Sequence, residues 1–191
     1  MWGFEPARSA LLARDLFVEQ GIKNVLIPGI GYGRNARVFI DSEINVTGIE
    51  ISKTAIELAR KRYRTGMNIY EGSVNDMPFD NNQYDGIFSH ALIHLLNSQE
   101  RAKFLSDCYD QLSENGYMIF STITKEAQIY GQGKQIGEDR FEMFGGVKMF
   151  FYDQEVIKKE FGKYGLVDVI EISENYPFYL IKCQKQEVVL F

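Results

Sequence analysis

The segment Asn24-Val25-Leu26-Ile27-Pro28 is a short apolar run that passes directly into Gly29-Ile30-Gly31-Tyr32-Gly33 and then into a helix-forming stretch from about Asn35 to Ile40. A run of this length ending in a glycine turn reads as a strand buried on both faces. Such strands belong to parallel sheets, whose crossover connections lay helices on both sides. Glycines in the turn permit a tight bend and let a ligand lie against the backbone at the carboxyl edge of the sheet.

The rest of the chain continues this alternation. Leu12, Ala13, Leu16 and Phe17 recur at helical spacing between Glu5 and Gln20, and Gly21 is placed as a C-terminal stop. Residues 46–50 read as a second strand, Ser52 caps a helix from Lys53 to about Arg64, and residues 68–71 and 84–89 read as further strands. A helix from about Gln99 to Leu112 starts at an Asn97/Ser98 cap, and Glu114-Asn115-Gly116 reads as a turn into a fifth strand over 117–122. The final third differs. Residues 125–150 are glycine-rich and aromatic, a helix runs from about Gln154 to Tyr164, and residues 166–172 and 177–183 form a hairpin through Ser173-Glu174-Asn175-Tyr176. The expected fold is α/β: a Rossmann-like three-layer sandwich with a mostly parallel seven-stranded sheet and a C-terminal antiparallel hairpin. Residues 1–191 are expected to form one domain, with 125–150 as a substrate-side insert.

Composition narrows the partners. The net charge is −5, and the one basic cluster, Arg60, Lys61, Arg62 and Arg64, falls on a predicted helix and reads as a solvated face. Duplex affinity rests on neutralising phosphates, so a nucleic-acid partner is disfavoured. No run of roughly 18 apolar residues occurs and the start lacks a basic-then-apolar leader, so neither membrane spanning nor secretion is expected. Cys108 and Cys183, far apart and without Cys-x-x-Cys spacing, read as reduced structural thiols of a cytoplasmic protein.

Glu50 ends the second strand 21 positions after Gly29, where a carboxylate can accept hydrogen bonds from a ribose diol. Its alternative role is the anion at the start of the next helix, beside Ser52. A dinucleotide site expects a third glycine where this chain has Arg34, with a pyrophosphate on the helix N-terminus. The Gly-x-Gly-x-Gly spacing need not cradle a diphosphate and favours S-adenosylmethionine over NAD. An NAD-dependent oxidoreductase is the less favoured alternative.

At these residues the chain resembles the class I S-adenosylmethionine-dependent methyltransferases, and the resemblance extends over nearly all of it. It implies that Gly29, Gly31 and Gly33 pass the methionine and ribose part of the donor and that Glu50 holds the ribose hydroxyls. Gly72-Ser73-Val74-Asn75-Asp76-Met77-Pro78-Phe79 is similar to the family's segment after the third strand, with Ser73 in place of the aspartate that commonly meets the adenine amino group. Tyr84-Asp85-Gly86-Ile87-Phe88-Ser89-His90 matches the fourth-strand motif, and Leu112 with Gly116 the Leu-x-x-x-Gly before strand five. Ile27 stands where the family usually has an acidic residue, so the methionine ammonium is expected to be held differently. The opening Trp2-Gly3-x-Glu5-Pro6 is similar to the small tellurite-resistance and thiopurine-type methyltransferases. The implied donor-site residues are Pro28, Gly29, Gly31, Gly33, Asn35, Glu50, Ile51, Ser73, Val74, Ser89 and His90.

The resemblance implies methyl transfer from S-adenosylmethionine to a small-molecule acceptor, leaving S-adenosylhomocysteine. The departures at Ile27 and Ser73 keep open a second reading, a non-catalytic S-adenosylmethionine-binding protein. In-line displacement from a sulfonium needs no protein nucleophile, because the cofactor is already activated and the protein mainly positions it. An acceptor with a bound proton calls for a base, and His90 is the candidate, with His94 behind it. Four residues apart, the two could share a helix face and hold a metal, but no third ligand lies near, and no metal is expected. Tyr130, Arg140, Phe141, Phe144 and Phe150 form either the core of an insert or a substrate box. Gly131, Gly133, Gly137, Gly145 and Gly146 make that segment pliable enough for a lid.

Overall fold

The computed structural model describes residues 3, 5–63 and 67–187. Trp2 of the opening motif and Arg64 of the basic cluster lie outside the described residues. The chain alternates α1 (Arg8–Glu19), β1 (Asn24–Pro28), α2 (Ala36–Ile40), β2 (Asn45–Glu50), α3 (Lys53–Arg62), β3 (Met67–Glu71) and β4 (Tyr84–His90). It continues with α4 (Ser98–Asp110), β5 (Leu112–Ile123), β6 (Lys134–Gly137), β7 (Arg140–Met143), β8 (Val147–Phe150), α5 (Gln154–Phe161), β9 (Leu166–Ser173) and β10 (Pro177–Gln184).

Seven strands form one sheet in the order β3-β2-β1-β4-β5-β10-β9. The first five are parallel; β10 runs antiparallel to both β5 and β9. Side chains alternate across it with the two-residue period of a strand. Val25 and Ile27 enter one buried cluster and Leu26 the other; Phe88 and Ile119 join the first, Ile87 and Phe120 the second. Ala10, Ala13 and Phe17 of α1, Val38 and Phe39 of α2 and Ile56 and Ala59 of α3 cover the first face. Phe104 and Leu105 of α4 and Ile157 and Phe161 of α5 cover the second. The expected three-layer sandwich with its terminal hairpin is therefore present.

Three details differ from the sequence reading. First, α1 starts at Arg8 rather than Glu5, and its N-cap Ala7 has no capping side chain of its own. The N–H groups of Arg8 and Ser9 instead donate to the Glu174 carboxylate, at 3.3 and 2.8 Å, and that of Ala7 to Asn35 Oδ1 at 2.9 Å. The helix begins where distant side chains satisfy its orphan donors. Second, Glu114-Asn115-Gly116 is an irregularity inside β5, with Asn115 at φ +62°, and not a separate turn. The pairing with β4 passes from Leu112 to Tyr117, so residues 113–116 bulge from the ladder, and the bulge is held by the Asn115 N–H donating to the Lys185 carbonyl and the Lys185 N–H donating to the Gly116 carbonyl. Third, the 125–150 segment contains the antiparallel sheet β6-β7-β8. Phe141, Met143, Met149 and Phe150 are buried, and Tyr130, Phe141 and Phe151 pack ring against ring. Lys125 Nζ pins the segment, 2.6 Å from carboxylates of both Asp139 and Asp153.

Candidate active site

At the carboxyl end of β1 the chain bends through Gly29, Gly31 and Gly33 at φ +72°, +59° and +80°. Side chains rarely adopt this left-handed region, so the bend selects glycine. The N–H groups of Gly29 and Ile30 both donate to the Ile49 carbonyl, at 2.8 and 3.1 Å, tying the loop to the end of β2. Glu50 follows directly. One of its oxygens accepts the Gly31 N–H at 2.9 Å and the other the Ser52 N–H at 2.8 Å. Each oxygen retains a lone pair for a ligand hydroxyl. Both readings of Glu50 are realised, since Ser52 is the N-cap of α3. A Cβ at Gly31 would meet nothing within 4 Å, so the loop borders open space.

That space widens into a cavity of about 610 Å³, within the roughly 300–1,000 Å³ usual for small-molecule sites. The glycine loop forms one wall, from Gly29 to Tyr32 with Arg34 and Asn35. His90, Ala91 and His94 after β4 form the floor, Phe144, Val147 and Met149 of the insert the roof, and Glu174, Tyr176 and Phe178 of the terminal hairpin the far side.

Of the implied donor-site residues, Gly29, Gly31, Asn35 and His90 line this cavity. Pro28 and Ser89 do not. They are buried beneath the loop, and the Ser89 hydroxyl donates to the Pro28 carbonyl at 3.2 Å. Gly33 packs against the Tyr63 ring, which a Cβ would approach to 2.9 Å. Glu50, Ile51, Ser73 and Val74 follow β2 and β3, on the opposite side of β1 from His90 in the strand order. Ile51 is 69% exposed, Val74 is buried, and the Ser73 hydroxyl accepts the Asn75 N–H at 3.2 Å. The sheet order thus divides the site into a β2–β3 half and a β4–β10 half.

The histidines do not share a helix face. His90 ends β4, Ala91 turns the chain at φ +54°, and His94 sits in a single 3-10 turn. A non-glycine residue in this conformation stores strain of order 1–3 kcal/mol, and such residues cluster at functional sites. His90 Nδ1 lies 2.9 Å from the Ser9 hydroxyl and 2.8 Å from that of Ser121. Burial pushes His90 down to about 4, Glu174 opposes that shift and Arg34 adds to it. Burial likewise pushes His94 down to about 3. The Ile123 N–H donates to His94 Nδ1 at 3.4 Å, which puts the ring proton on Nε2. Among the described residues, no three His, Cys, Asp or Glu side chains are grouped to hold a metal ion.

Of the insert residues singled out from sequence, Phe144 reaches the cavity, whereas Phe141 and Phe150 are core. Arg140 donates to the carbonyls of Leu95 and Leu96 and so ties the insert to the turn after His94. Arg34, noted in the sequence only as the missing third glycine, also lines the cavity, and Glu174, Tyr176 and Phe178 were not legible as site residues. Nothing local marks them, because only the strand order brings the terminal hairpin beside the glycine loop.

The family model described as a methyltransferase domain matches residues 26–120, which run from β1 through the glycine loop and Glu50 into β5. The chain carries a methyltransferase domain. It is 28% identical over 114 residues to an uncharacterized methyltransferase of Oceanobacillus iheyensis, covering 58% of this chain and 53% of that one. To the tRNA N(3)-methylcytidine methyltransferase Mettl2 of Drosophila melanogaster it is 23% identical over 156 residues, covering 76% of this chain and 46% of that one. The chain therefore spans about half the length of these curated relatives. Its fold matches the crystal structure of an S-adenosylmethionine-dependent methyltransferase from Clostridium acetobutylicum with TM-score 0.78, at 13% identity, covering 93% of this chain and 91% of that one. The geometry at the bend is compatible with a nucleoside-type ligand. There is open space at Gly31, and a carboxylate with free lone pairs stands at the end of β2.

Proposed function

We propose that this protein transfers a methyl group from S-adenosylmethionine to a small-molecule acceptor held in the β4–β10 half of the cavity. One observation carries the reading: the Glu50 carboxylate, braced by the Gly31 and Ser52 N–H groups, stands beside a backbone bend that opens onto a cavity. In this reading Glu50 receives the ribose diol, and adenine lies toward Ile51, Ser73 and Val74. Arg34 and Glu174 supply opposite charges within one cavity, which suits the zwitterionic amino-acid end of the donor. Glu174 then takes the ammonium that Ile27, an apolar residue 2% exposed, cannot hold.

When bound, the donor supplies an electrophilic methyl on its sulfonium. The chain's residues then position: the glycine loop and Glu50 fix one end, and the walls around His90 hold the acceptor in line. His90, uncharged at neutral pH, receives the acceptor proton where there is one to remove. Residues 125–150 act as the substrate-side insert of a single catalytic domain. No helix among the described residues is long and apolar enough to cross a membrane. Cys108 and Cys183 are buried and unbridged, which supports a reducing, cytoplasmic setting. A net charge of −5 favours a small acceptor over nucleic acid.

Calorimetric titration with S-adenosylmethionine, followed by incubation of the loaded protein with a metabolite extract, tests this reading. Saturable binding and release of S-adenosylhomocysteine are expected. Binding weaker than about 1 mM, where the interaction is worth only about 4 kcal/mol, would overturn it. Binding without any S-adenosylhomocysteine would favour the non-catalytic alternative.

A further inference from the structure

Beyond the donor, the cavity bears on the acceptor, and this inference rests on the donor reading above. We infer that the acceptor is an uncharged, flat aromatic ring carrying a hydrogen-bond-accepting substituent, bound between the insert and the terminal hairpin.

Three features of the β4–β10 half lead to this class. Its surface is predominantly apolar, with Phe144, Val147 and Met149 from the insert and Ile123 and Phe178 from the sheet. Apolar walls favour a ligand that sheds little hydration on entry. The second feature is planarity. The rings of His90 and Phe178 lie nearly parallel, 18° apart with centroids 6.0 Å apart, and His94 meets the same Phe178 ring edge-on at 5.9 Å. Flat side chains fixed in this way complement a flat ligand, which stacks against them better than a puckered one of equal area. Phe144 faces the cavity from the insert, is 64% exposed, and is held at φ +50°. Val147, 42% exposed, lines the same cavity, so the insert presents more than one exposed apolar side chain there, as ligand-binding grooves do.

The third feature is charge. The charged groups lining the cavity are Arg34, next to the glycine loop, and Glu174, whose two oxygens already accept the Arg8 and Ser9 N–H groups. In the donor reading both are taken by the amino-acid end of the donor, and the histidines beside them are uncharged at neutral pH because burial disfavours their protonated form. A charged ring entering this half would lose its hydration without gaining a partner. His94 adds direction. With Nδ1 accepting from Ile123, it keeps a proton on Nε2, a donor for a hydroxyl, carbonyl or ring nitrogen.

The test uses the full chain, with and without saturating S-adenosylhomocysteine, titrated calorimetrically with 2-naphthol, 2-naphthoate and trans-2-decalol. These are flat and neutral, flat and anionic, and neutral but puckered. 2-Naphthol is expected to bind on the order of ten-fold or more tighter than either of the others, a difference of about 1.4 kcal/mol. Phe144→Ala removes an exposed side chain, so the fold is retained. It should weaken 2-naphthol by a similar factor and leave S-adenosylhomocysteine affinity unchanged. Equal binding of 2-naphthoate or trans-2-decalol, no binding of 2-naphthol, or no effect of Phe144→Ala would overturn the inference. Failure of S-adenosylhomocysteine itself to bind would instead strike the donor reading, and the ring titrations on the free protein would still decide the acceptor class.

Discussion

Gly31→Leu is expected to lower affinity for S-adenosylmethionine by roughly 100-fold or more, about 2.7 kcal/mol, while the protein remains folded. The leucine would project into the open space beside the loop, where no protein atom lies within 4 Å of the Cβ position. It would fill the volume assigned to the donor. Its backbone, at φ +59°, would also be strained by about 1–2 kcal/mol. Gly131→Leu separates the two effects. Gly131 has φ +78° and nothing within 4 Å of its Cβ position, but it does not line the cavity. Comparable loss of stability in both variants with loss of binding in Gly31→Leu alone would match the assignment. Unchanged binding in Gly31→Leu would remove the loop from the site.

Acidification is expected to destabilise the protein between about pH 6.5 and pH 3, and the two buried histidines are the cause. Both are pushed below the ordinary 6.5, His90 to about 4 and His94 to about 3, by burial of a group that must stay neutral in the fold. On the acid side of 6.5 the unfolded chain takes up protons that the folded chain refuses, so stability falls as pH drops and levels off once the folded-state values are passed. Each histidine should contribute a loss on the order of 2–4 kcal/mol between pH 7 and pH 4. Urea midpoints at pH 7, 5.5 and 4 measure this. Replacing His94 with Asn should lower stability at pH 7 yet shrink the acid-induced drop by about half. An undiminished drop in that variant would assign the acid sensitivity elsewhere.

The sheet was legible because its signal is local: β1, β2 and β4 are short apolar runs, and a two-residue period sends Val25 and Ile27 to one core and Leu26 to the other. The glycine loop and Glu50 were legible for a similar reason. Their chemistry is written in spacing along the chain, and the Gly29 and Ile30 N–H groups both donate to one backbone carbonyl, that of Ile49, next to Glu50. What escaped the sequence is set by partners far along the chain. The start of α1 depends on Glu174, whose hairpin closes the sheet more than a hundred residues later. Asn115-Gly116 has the composition of a turn but is held in β5 by Lys185. In the insert, β6 is exposed along its whole length, so no buried and exposed alternation marked it. The far wall of the cavity, from Glu174 to Phe178, was hidden for the reason that hid the start of α1.

The ribose contact is the point on which the donor assignment turns, and a crystal structure of the protein with S-adenosylhomocysteine measures it directly. The ribose diol should lie within hydrogen-bonding distance of both Glu50 oxygens, with the sulfur beside Gly31 and the amino-acid end between Arg34 and Glu174. A nucleoside bound elsewhere, or Glu50 turned away from an adenosine lying on the loop, would contradict it.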